Sequence, residues 1–308
     1  MSATPAPQVV KYAAARKTSR TKTLLEFLKI EHSLFALPFV LAGALLGFLQ
    51  RDGALVYGPE FWATVGLVLV AAVGARSLAM TLNRIVDREI DARNPRTATR
   101  AIPAGKMSDR TAWTVAAVSA AALFGASYAL NGLVFALAPV LVGIFFLYPY
   151  TKRFTWLCHG VLGLAFLCAP AGGYLAVTGS FEGYMPPLVL GVAAAAWVAG
   201  FDIIYALLDV QFDRANGIKS VPARFGLKGA RLIALGLHLV VIAALLHFWF
   251  WHARFTPVLL GVVAASALIL YQHLLVDPED VGKINKAFFN VNAVVGWLVF
   301  AGLAAAYA

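Results

Sequence analysis

A nine-residue acidic motif, Asn83-Arg84-Ile85-Val86-Asp87-Arg88-Glu89-Ile90-Asp91, directly follows a long apolar segment. If the helix of that segment continues through the motif, Asn83, Asp87 and Asp91 recur every fourth residue on one helix face. Carboxylates one turn apart repel each other unless a cation lies between them. The spacing therefore predicts a site at a helix end for a hard cation such as Mg²⁺, shared with a phosphate-bearing ligand.

A second acidic motif, Tyr205-Ala206-Leu207-Leu208-Asp209-Val210-Gln211-Phe212-Asp213, repeats this arrangement after another apolar segment. Asp202 lies seven residues before Asp209, about two turns back on the same helix stripe. A single acidic pair is typical of a solvated helix end, whereas two copies in the same context favour a shared ligand site. Both motifs run into basic segments, which contain Arg93, Arg96 and Arg100 in the first case and Arg214, Lys219 and Arg224 in the second.

The composition identifies an integral membrane protein. Of the 308 residues, 61% are hydrophobic and only 13% are charged, and the mean hydropathy is +0.78. Soluble domains carry about 25% charged residues. Cys158 and Cys168 lie in one apolar segment without metal-binding spacing, so we interpret them as packing residues. We expect no cleavable signal peptide, because a polar, basic start leads into further apolar segments.

The apolar segments predict an all-α, polytopic membrane protein: a bundle of nine transmembrane helices with a central cavity capped by cytoplasmic loops. Each segment is long enough to cross about 30 Å of hydrocarbon. A basic tail, residues 1–22, precedes a single transmembrane domain, residues 23–308. We place the spans at about residues 32–49, 61–82, 112–130, 133–148, 156–177, 187–208, 232–251, 257–276 and 287–306.

The distribution of basic residues predicts the orientation in the membrane. With nine spans, the side that holds the N-terminus contains 22 of the 25 lysines and arginines. Arg51 and Arg254 lie on the opposite side, and Arg76 lies within the second span. Because basic loops stay on the cytoplasmic side, we expect the N-terminus and both acidic motifs to be cytoplasmic. Anionic lipid headgroups and a diphosphate then explain the net charge of +10 without nucleic acid.

Several segments resemble the UbiA superfamily of intramembrane aromatic prenyltransferases. The likeness covers nearly the whole chain in the right order, which makes it specific although each segment alone would be weak. Besides the two acidic motifs, the segments that carry it are Glu31-His32-Ser33-Leu34-Phe35-Ala36-Leu37-Pro38, Asn94-Pro95-Arg96-Thr97, Pro103-Ala104-Gly105, Tyr148-Pro149-Tyr150-Thr151-Lys152-Arg153, Gly217-Ile218-Lys219-Ser220 and Arg224-Phe225-Gly226.

This resemblance implies Mg²⁺-dependent transfer of a polyprenyl group from a polyprenyl diphosphate to an aromatic acid through an allylic cation. The simplest acceptor is 4-hydroxybenzoate, in ubiquinone biosynthesis, and the alternative is a dihydroxynaphthoate in menaquinone biosynthesis. Metal ions held by the acidic motifs would stabilise the charge on the departing diphosphate. The protein would act in the lipid bilayer of a bacterial inner membrane, without an obligate protein partner.

The resemblance also implies roles for individual residues. Asn83, Asp87, Asp91, Asp209 and Asp213 would bind Mg²⁺ and the diphosphate. The candidate catalytic residues are the four aspartates and Lys152. The candidate substrate-binding residues are Asn83, Tyr148, Tyr205, Asp202, Lys29 and Arg88.

The residues themselves leave alternatives open. Lys152 is also suited to anchoring a helix end, and Tyr205 to packing. Asp202, a costly charge within a span, would face the cavity and act on the aromatic substrate or as a base, or else pair with Arg76. A secondary transporter is the alternative class, disfavoured because transporters place ionisable groups near the bilayer midplane.

The sequence assigns no definite role to the remaining basic side chains. Arg88, Arg93 and Arg96 are candidate ligands of a diphosphate or of lipid headgroups, although a solvated basic loop would contain the same residues. His159 and His273 stand alone in the sequence, and neither predicts a metal site.

Overall fold

The computed structural model describes residues 19–28, 33–276, 284 and 290–307, and within these ranges the regular structure is entirely helical. Eight segments of the described chain are long and apolar enough to cross a membrane, and a further apolar helix is shorter. The predicted all-α membrane bundle is therefore confirmed, and the expected nine helices fit approximately. Lys29 and residues 1–18 lie outside the described residues. The helices are α1 (Arg20–Leu28), α2 (Ser33–Asp52), α3 (Pro59–Val86), α4 (Arg88–Arg93), α5 (Asp109–Leu130), α6 (Gly132–Thr151), α7 (Cys158–Thr178), α8 (Met185–Ala206), α9 (Val210–Ala215), α10 (Val221–His252), α11 (Thr256–Leu275) and α12 (Asn292–Tyr307).

Two glycines bring α2 and α7 into close contact. A Cβ atom added at Gly43 would overlap the backbone carbonyl of Pro170, and one added at Gly173 would overlap the carbonyl of Val40. Small residues allow helix backbones to approach where lipid provides no hydrophobic driving force between helices. This contact fixes two of the helices that surround the central cavity.

Trp197 of α8 is the fully buried centre of the largest apolar cluster. Its ring makes edge contacts with Phe35 and Phe201, at centroid distances of 6.2 and 5.0 Å. The indole Nε1 donates a hydrogen bond of 2.9 Å to Oδ1 of Asn292, so α8 and α12 are joined by a satisfied polar contact. Trp197 therefore connects α8 to both α2 and α12 in the centre of the bundle.

The helix of the second predicted span does not continue unbroken through the first acidic motif. It ends at Val86, Asp87 has φ −88° and ψ −1°, and α4 begins at the next residue. Hydrogen bonds of helical spacing still cross the break, because Asp87 N donates to Asn83 O at 3.0 Å and Asp91 N donates to Asp87 O at 2.8 Å. The backbone hydrogen bonds of the motif are therefore kept on both sides of Asp87.

The second acidic motif has a similar break. After Ala206, residues Leu207–Asp209 form one turn of 3-10 helix, and α9 follows. Both motifs thus lie where a long spanning helix gives way to a short one. The contacts described below place both at the same end of the bundle.

Candidate active site

A cavity of about 530 Å³ lies between α2, α3, α5, α6, α7 and α8, and most of its lining is apolar. This agrees with the central cavity expected from the sequence. The lining includes two charged residues, Arg76 and Asp202, and a cluster of polar residues near the acidic motifs: Asn83, Tyr148 and Tyr205. An apolar space with a few convergent polar groups suits a ligand that has an apolar chain and a polar head.

The first acidic motif holds its central carboxylate in a buried position. Oδ2 of Asp87 lies 2.6 Å from Nζ of Lys152 and accepts a hydrogen bond of 3.0 Å from Nδ2 of Asn83. Burial raises the pKa of the Asp87 carboxyl, and the ammonium group of Lys152 opposes that rise. Oδ1 of Asp87 is buried without a hydrogen-bond partner among the described residues. A buried acceptor of this kind is costly, so this oxygen is a ready ligand position for a cation.

The loop after α4 folds back over the first motif. NH1 of Arg100 lies 2.7 Å from both carboxylate oxygens of Asp91. The hydroxyl of Thr97 donates to the backbone carbonyl of the same aspartate at 3.1 Å. Asp91, like Asp87, is therefore buried beside a cation.

Arg96 joins the two acidic motifs. Its Nε donates to Oδ1 of Asp209 at 2.8 Å, its NH2 contacts Oδ2 of the same residue, and its NH1 donates to the hydroxyl of Tyr205 at 2.9 Å. Nδ2 of Asn94 also donates to Oδ1 of Asp209, at 2.9 Å. The segment that follows the first motif thus binds the second, and the predicted proximity of the motifs is seen. Sequence reasoning missed Asn94 as a site residue, although the segment that contains it was noted.

Asp213 and Asp202 extend the site toward α7 and α10. Ser220 donates to Oδ2 of Asp213 at 2.7 Å. Oδ2 of Asp202 lies 2.7 Å from Nδ1 of His159, so this carboxylate pairs with a histidine that the sequence did not indicate as its partner.

The two histidines that stand alone in the sequence, His159 and His273, both have partners in the fold. His159 contacts Asp202, and Nε2 of His273 lies 2.6 Å from Nδ1 of His238. These partners are 43 and 35 residues apart in the chain, so no local spacing could have indicated them.

Arg88 lies apart from the cavity. Its side chain is exposed and approaches Glu89 at 3.9 Å and Asp109 at 4.0 Å. The structure therefore does not bring this candidate together with the other substrate-binding residues.

The donor atoms of the two motifs fit a hard divalent cation. Carboxylate and amide oxygens are the ligands that Mg²⁺ prefers, and the partnerless Oδ1 of Asp87 is one such atom. In the described residues, protein cations lie beside three of the four carboxylates, and no group of three or more His, Cys, Asp or Glu residues converges on one point. A bound metal ion would therefore replace contacts made by Lys152, Arg96 and Arg100.

Comparisons with known proteins agree with this architecture. The model of the UbiA prenyltransferase family matches residues 36–306. A 4-hydroxybenzoate octaprenyltransferase of Aliivibrio fischeri is 32% identical over 260 residues, which cover 84% of this chain and 87% of that protein. A UbiA homologue from Aeropyrum pernix K1 has a TM-score of 0.79 at 31% identity and covers 90% of this chain and 98% of its own. A UbiA homologue from Archaeoglobus fulgidus bound to GPP and Mg²⁺ shares the fold, with a TM-score of 0.66 at 20% identity over 92% of this chain and 99% of its own.

The expected aromatic prenyltransferase class is confirmed by these matches. Because the family model and a relative more than 30% identical both span most of the sequence, the chain belongs to the UbiA prenyltransferase family.

Proposed function

We propose that this protein transfers a polyprenyl group from a polyprenyl diphosphate to 4-hydroxybenzoate, at the ring carbon next to the hydroxyl. One observation carries the proposal: Arg96 joins both acidic motifs at one end of an apolar cavity, where a diphosphate head and a prenyl tail would both be accommodated. The relative from Aliivibrio fischeri is a 4-hydroxybenzoate octaprenyltransferase, which supports this acceptor.

The diphosphate would bind between the two motifs. Asn83, Asp87, Asp91, Asp209 and Asp213 would hold Mg²⁺, which supplies charge neutralisation of the leaving diphosphate. The solved complex of the Archaeoglobus fulgidus homologue with GPP and Mg²⁺ supports the choice of ion. Lys152, Arg96 and Arg100, which pair with the carboxylates in this structure, would turn toward the phosphate oxygens.

The cavity would protect the reacting cation from water. The C–O bond of the prenyl diphosphate breaks and its electron pair leaves with the diphosphate. A π-electron pair of the ring then forms the new C–C bond, and the proton on the substituted ring carbon passes to water, which restores aromaticity. The π faces of Tyr148 and Tyr205, both in the cavity wall, are suited to stabilising the allylic cation.

The two charged residues of the cavity wall would orient the aromatic acid. Arg76 presents a guanidinium group to a space that is otherwise largely apolar, and such a group pairs well with a carboxylate. Asp202 would face the opposite end of the substrate and accept a hydrogen bond from its hydroxyl. Both side chains line the cavity, so an aromatic acid that enters it would meet one positive and one negative group.

We also propose that the protein lies in a bacterial inner membrane with its N-terminus and active site cytoplasmic. The asymmetry of the basic loops supports this orientation. The proposed reaction needs a lipid bilayer and two small substrates, and it requires neither nucleic acid nor a protein partner.

The test uses the purified full chain in lipid nanodiscs with Mg²⁺, geranyl diphosphate and one aromatic acid at a time. We expect mass spectrometry to detect geranylated 4-hydroxybenzoate from the wild type and none from Asp87→Asn or Asp209→Asn. Product from a dihydroxynaphthoate alone would overturn the acceptor assignment. If no aromatic acid is prenylated although Mg²⁺-dependent cleavage of the diphosphate persists, the acceptor class is wrong, and absence of any Asp87-dependent cleavage would favour a transporter.

A further inference from the structure

Three consecutive residues at the start of α10 contact three different parts of the site. Lys219 N donates to the backbone carbonyl of Lys152 at 2.8 Å, and the hydroxyl of Ser220 donates to Asp213 at 2.7 Å. Val221 N donates to Nε2 of His159 at 3.3 Å. The segment 219–221 is therefore attached both to the acidic motifs and to the histidine that contacts Asp202.

The contact with Val221 fixes the tautomer of His159. A backbone N–H group only donates, so Nε2 of the imidazole accepts and carries no hydrogen. The neutral ring then carries its hydrogen on Nδ1, which lies 2.7 Å from Oδ2 of Asp202. The imidazole therefore donates a hydrogen bond to the carboxylate. In histidines generally, the hydrogen bond made by one ring nitrogen determines whether the other nitrogen donates or accepts.

The hydrogen bond from His159 occupies Oδ2 of Asp202 and leaves Oδ1 for a substrate. The histidine side chain is only 6% exposed, whereas that of Asp202 is 22% exposed and lines the cavity. Oδ2 is engaged by the histidine, so Oδ1 is the oxygen through which the carboxylate would meet a ligand. A hydrogen bond to one carboxylate oxygen sets the orientation of the whole carboxylate group. The direction in which the other oxygen accepts a hydrogen bond is then defined as well.

We propose that His159 is a positioning residue: its Nδ1–H group, fixed by the backbone of Val221, holds Asp202 as the acceptor for the hydroxyl of the aromatic substrate. This inference rests on the proposed function and adds the residue that orients the acceptor. As positive charge develops on the ring during C–C bond formation, the fixed carboxylate stabilises the hydroxyl that shares that charge. His159 itself does not touch the substrate.

A purely structural role for the imidazole is the competing explanation, and the chain offers a matched control. His238 is also fully buried, contacts His273 at 2.6 Å and the carbonyl of Trp197 at 3.3 Å, and packs against Gly200. It is not among the residues that line the cavity. A Phe substitution at this position removes a buried histidine whose hydrogen-bond partners are Trp197, Gln272 and His273 and do not include Asp202.

The experiment compares His159→Phe, His159→Gln and His238→Phe with the wild type in nanodiscs. We expect His159→Phe to lower kcat for 4-hydroxybenzoate prenylation by roughly 10- to 100-fold, the effect of losing one hydrogen bond to a charged group. The KM for geranyl diphosphate, and pyrophosphate release without an aromatic acid, stay within about twofold of wild type because that half of the site is intact. His159→Gln recovers most of the rate, because its amide oxygen accepts from Val221 while its amino group donates to Asp202.

A double-mutant cycle separates positioning from packing. In an Asp202→Asn background, we expect His159→Phe to have little further effect on kcat, because the interaction it removes is already lost. Equal losses of prenylation and of pyrophosphate release in His159→Phe, no rescue by Gln, or an effect no larger than that of His238→Phe would overturn the inference. A wild type that prenylates no aromatic acid would overturn the proposed function and this inference together.

Discussion

Nζ of Lys152 lies 2.6 Å from Oδ2 of Asp87, and this ion pair joins the end of α6 to the first acidic motif. The carboxylate is 2% exposed and the lysine side chain 24% exposed, so the pair is largely removed from water. The lysine was one of the candidate catalytic residues, with helix anchoring as the alternative. Its contact with Asp87 supports a role in the site.

Lys152→Met should reduce both stability and activity. Removing one partner of a buried ion pair costs up to about 3–5 kcal/mol, because the remaining charge stays buried without compensation. We expect a lower Tm of the detergent-solubilised protein and loss of prenyl transfer. The double variant Lys152→Met with Asp87→Asn should recover the Tm but remain inactive. A single variant with wild-type Tm and turnover would contradict this role.

Arg96→Lys should weaken binding of the prenyl diphosphate although the charge is kept. The guanidinium group contacts Asp209 and Tyr205 at once through different nitrogens, which an ammonium group cannot do. We expect the KM for geranyl diphosphate to rise roughly tenfold or more, the effect of about 1.5–3 kcal/mol. Arg110→Lys, an exposed change in α5, is the control. If the two variants have the same KM for geranyl diphosphate, the simultaneous contacts of Arg96 with Asp209 and Tyr205 are unimportant for binding.

Arg76→Leu should affect the aromatic substrate selectively. If this guanidinium group binds the carboxylate of 4-hydroxybenzoate, its loss raises the KM for the acid by roughly tenfold or more. Pyrophosphate release from the prenyl diphosphate alone should stay near the wild-type rate. Arg254→Leu removes an arginine that lies over the ring of Phe250 and contributes nothing to the cavity. An unchanged KM for the acid would exclude Arg76 as its ligand.

Cys168 should report occupation of the cavity by the prenyl tail. It is half-buried and lines the cavity, whereas Cys158 is buried and contacts the backbone of Lys219. In a Cys158→Ser background, we expect geranyl diphosphate with Mg²⁺ to slow labelling of Cys168 by a membrane-permeant maleimide. Protection should disappear in an Asp87→Asn variant, and inorganic pyrophosphate alone should give none. Labelling that is indifferent to the prenyl chain would place the tail elsewhere.

The acidic residues could be located from the sequence because helical spacing and apolar flanks are local properties. The partners of those residues could not. Arg96 and Asp209 are 113 residues apart, and His159 and Asp202 are 43 residues apart, so each contact depends on how long helices pack. Both arginine and histidine were visible in the sequence, but nothing near them indicated which carboxylate they would reach.

The helix break at Asp87 was also invisible in the sequence. Residues 83–91 contain neither proline nor glycine, the usual local signals for a break. The carboxylate of Asp87 instead contacts Lys152, which follows the end of α6. Such a contact between distant residues is not part of local helix propensity, so the sequence around the motif could not indicate it.

The link between Arg96 and Asp209 has a consequence for the idle enzyme between turnovers. In the proposed cycle, the arginine would return to Asp209 when pyrophosphate departs with its ions, so this carboxylate would not be left without a counterion. Binding and release of the substrate would then exchange one counterion for another. Such an exchange would favour release of pyrophosphate and prepare the site for the next lipid donor.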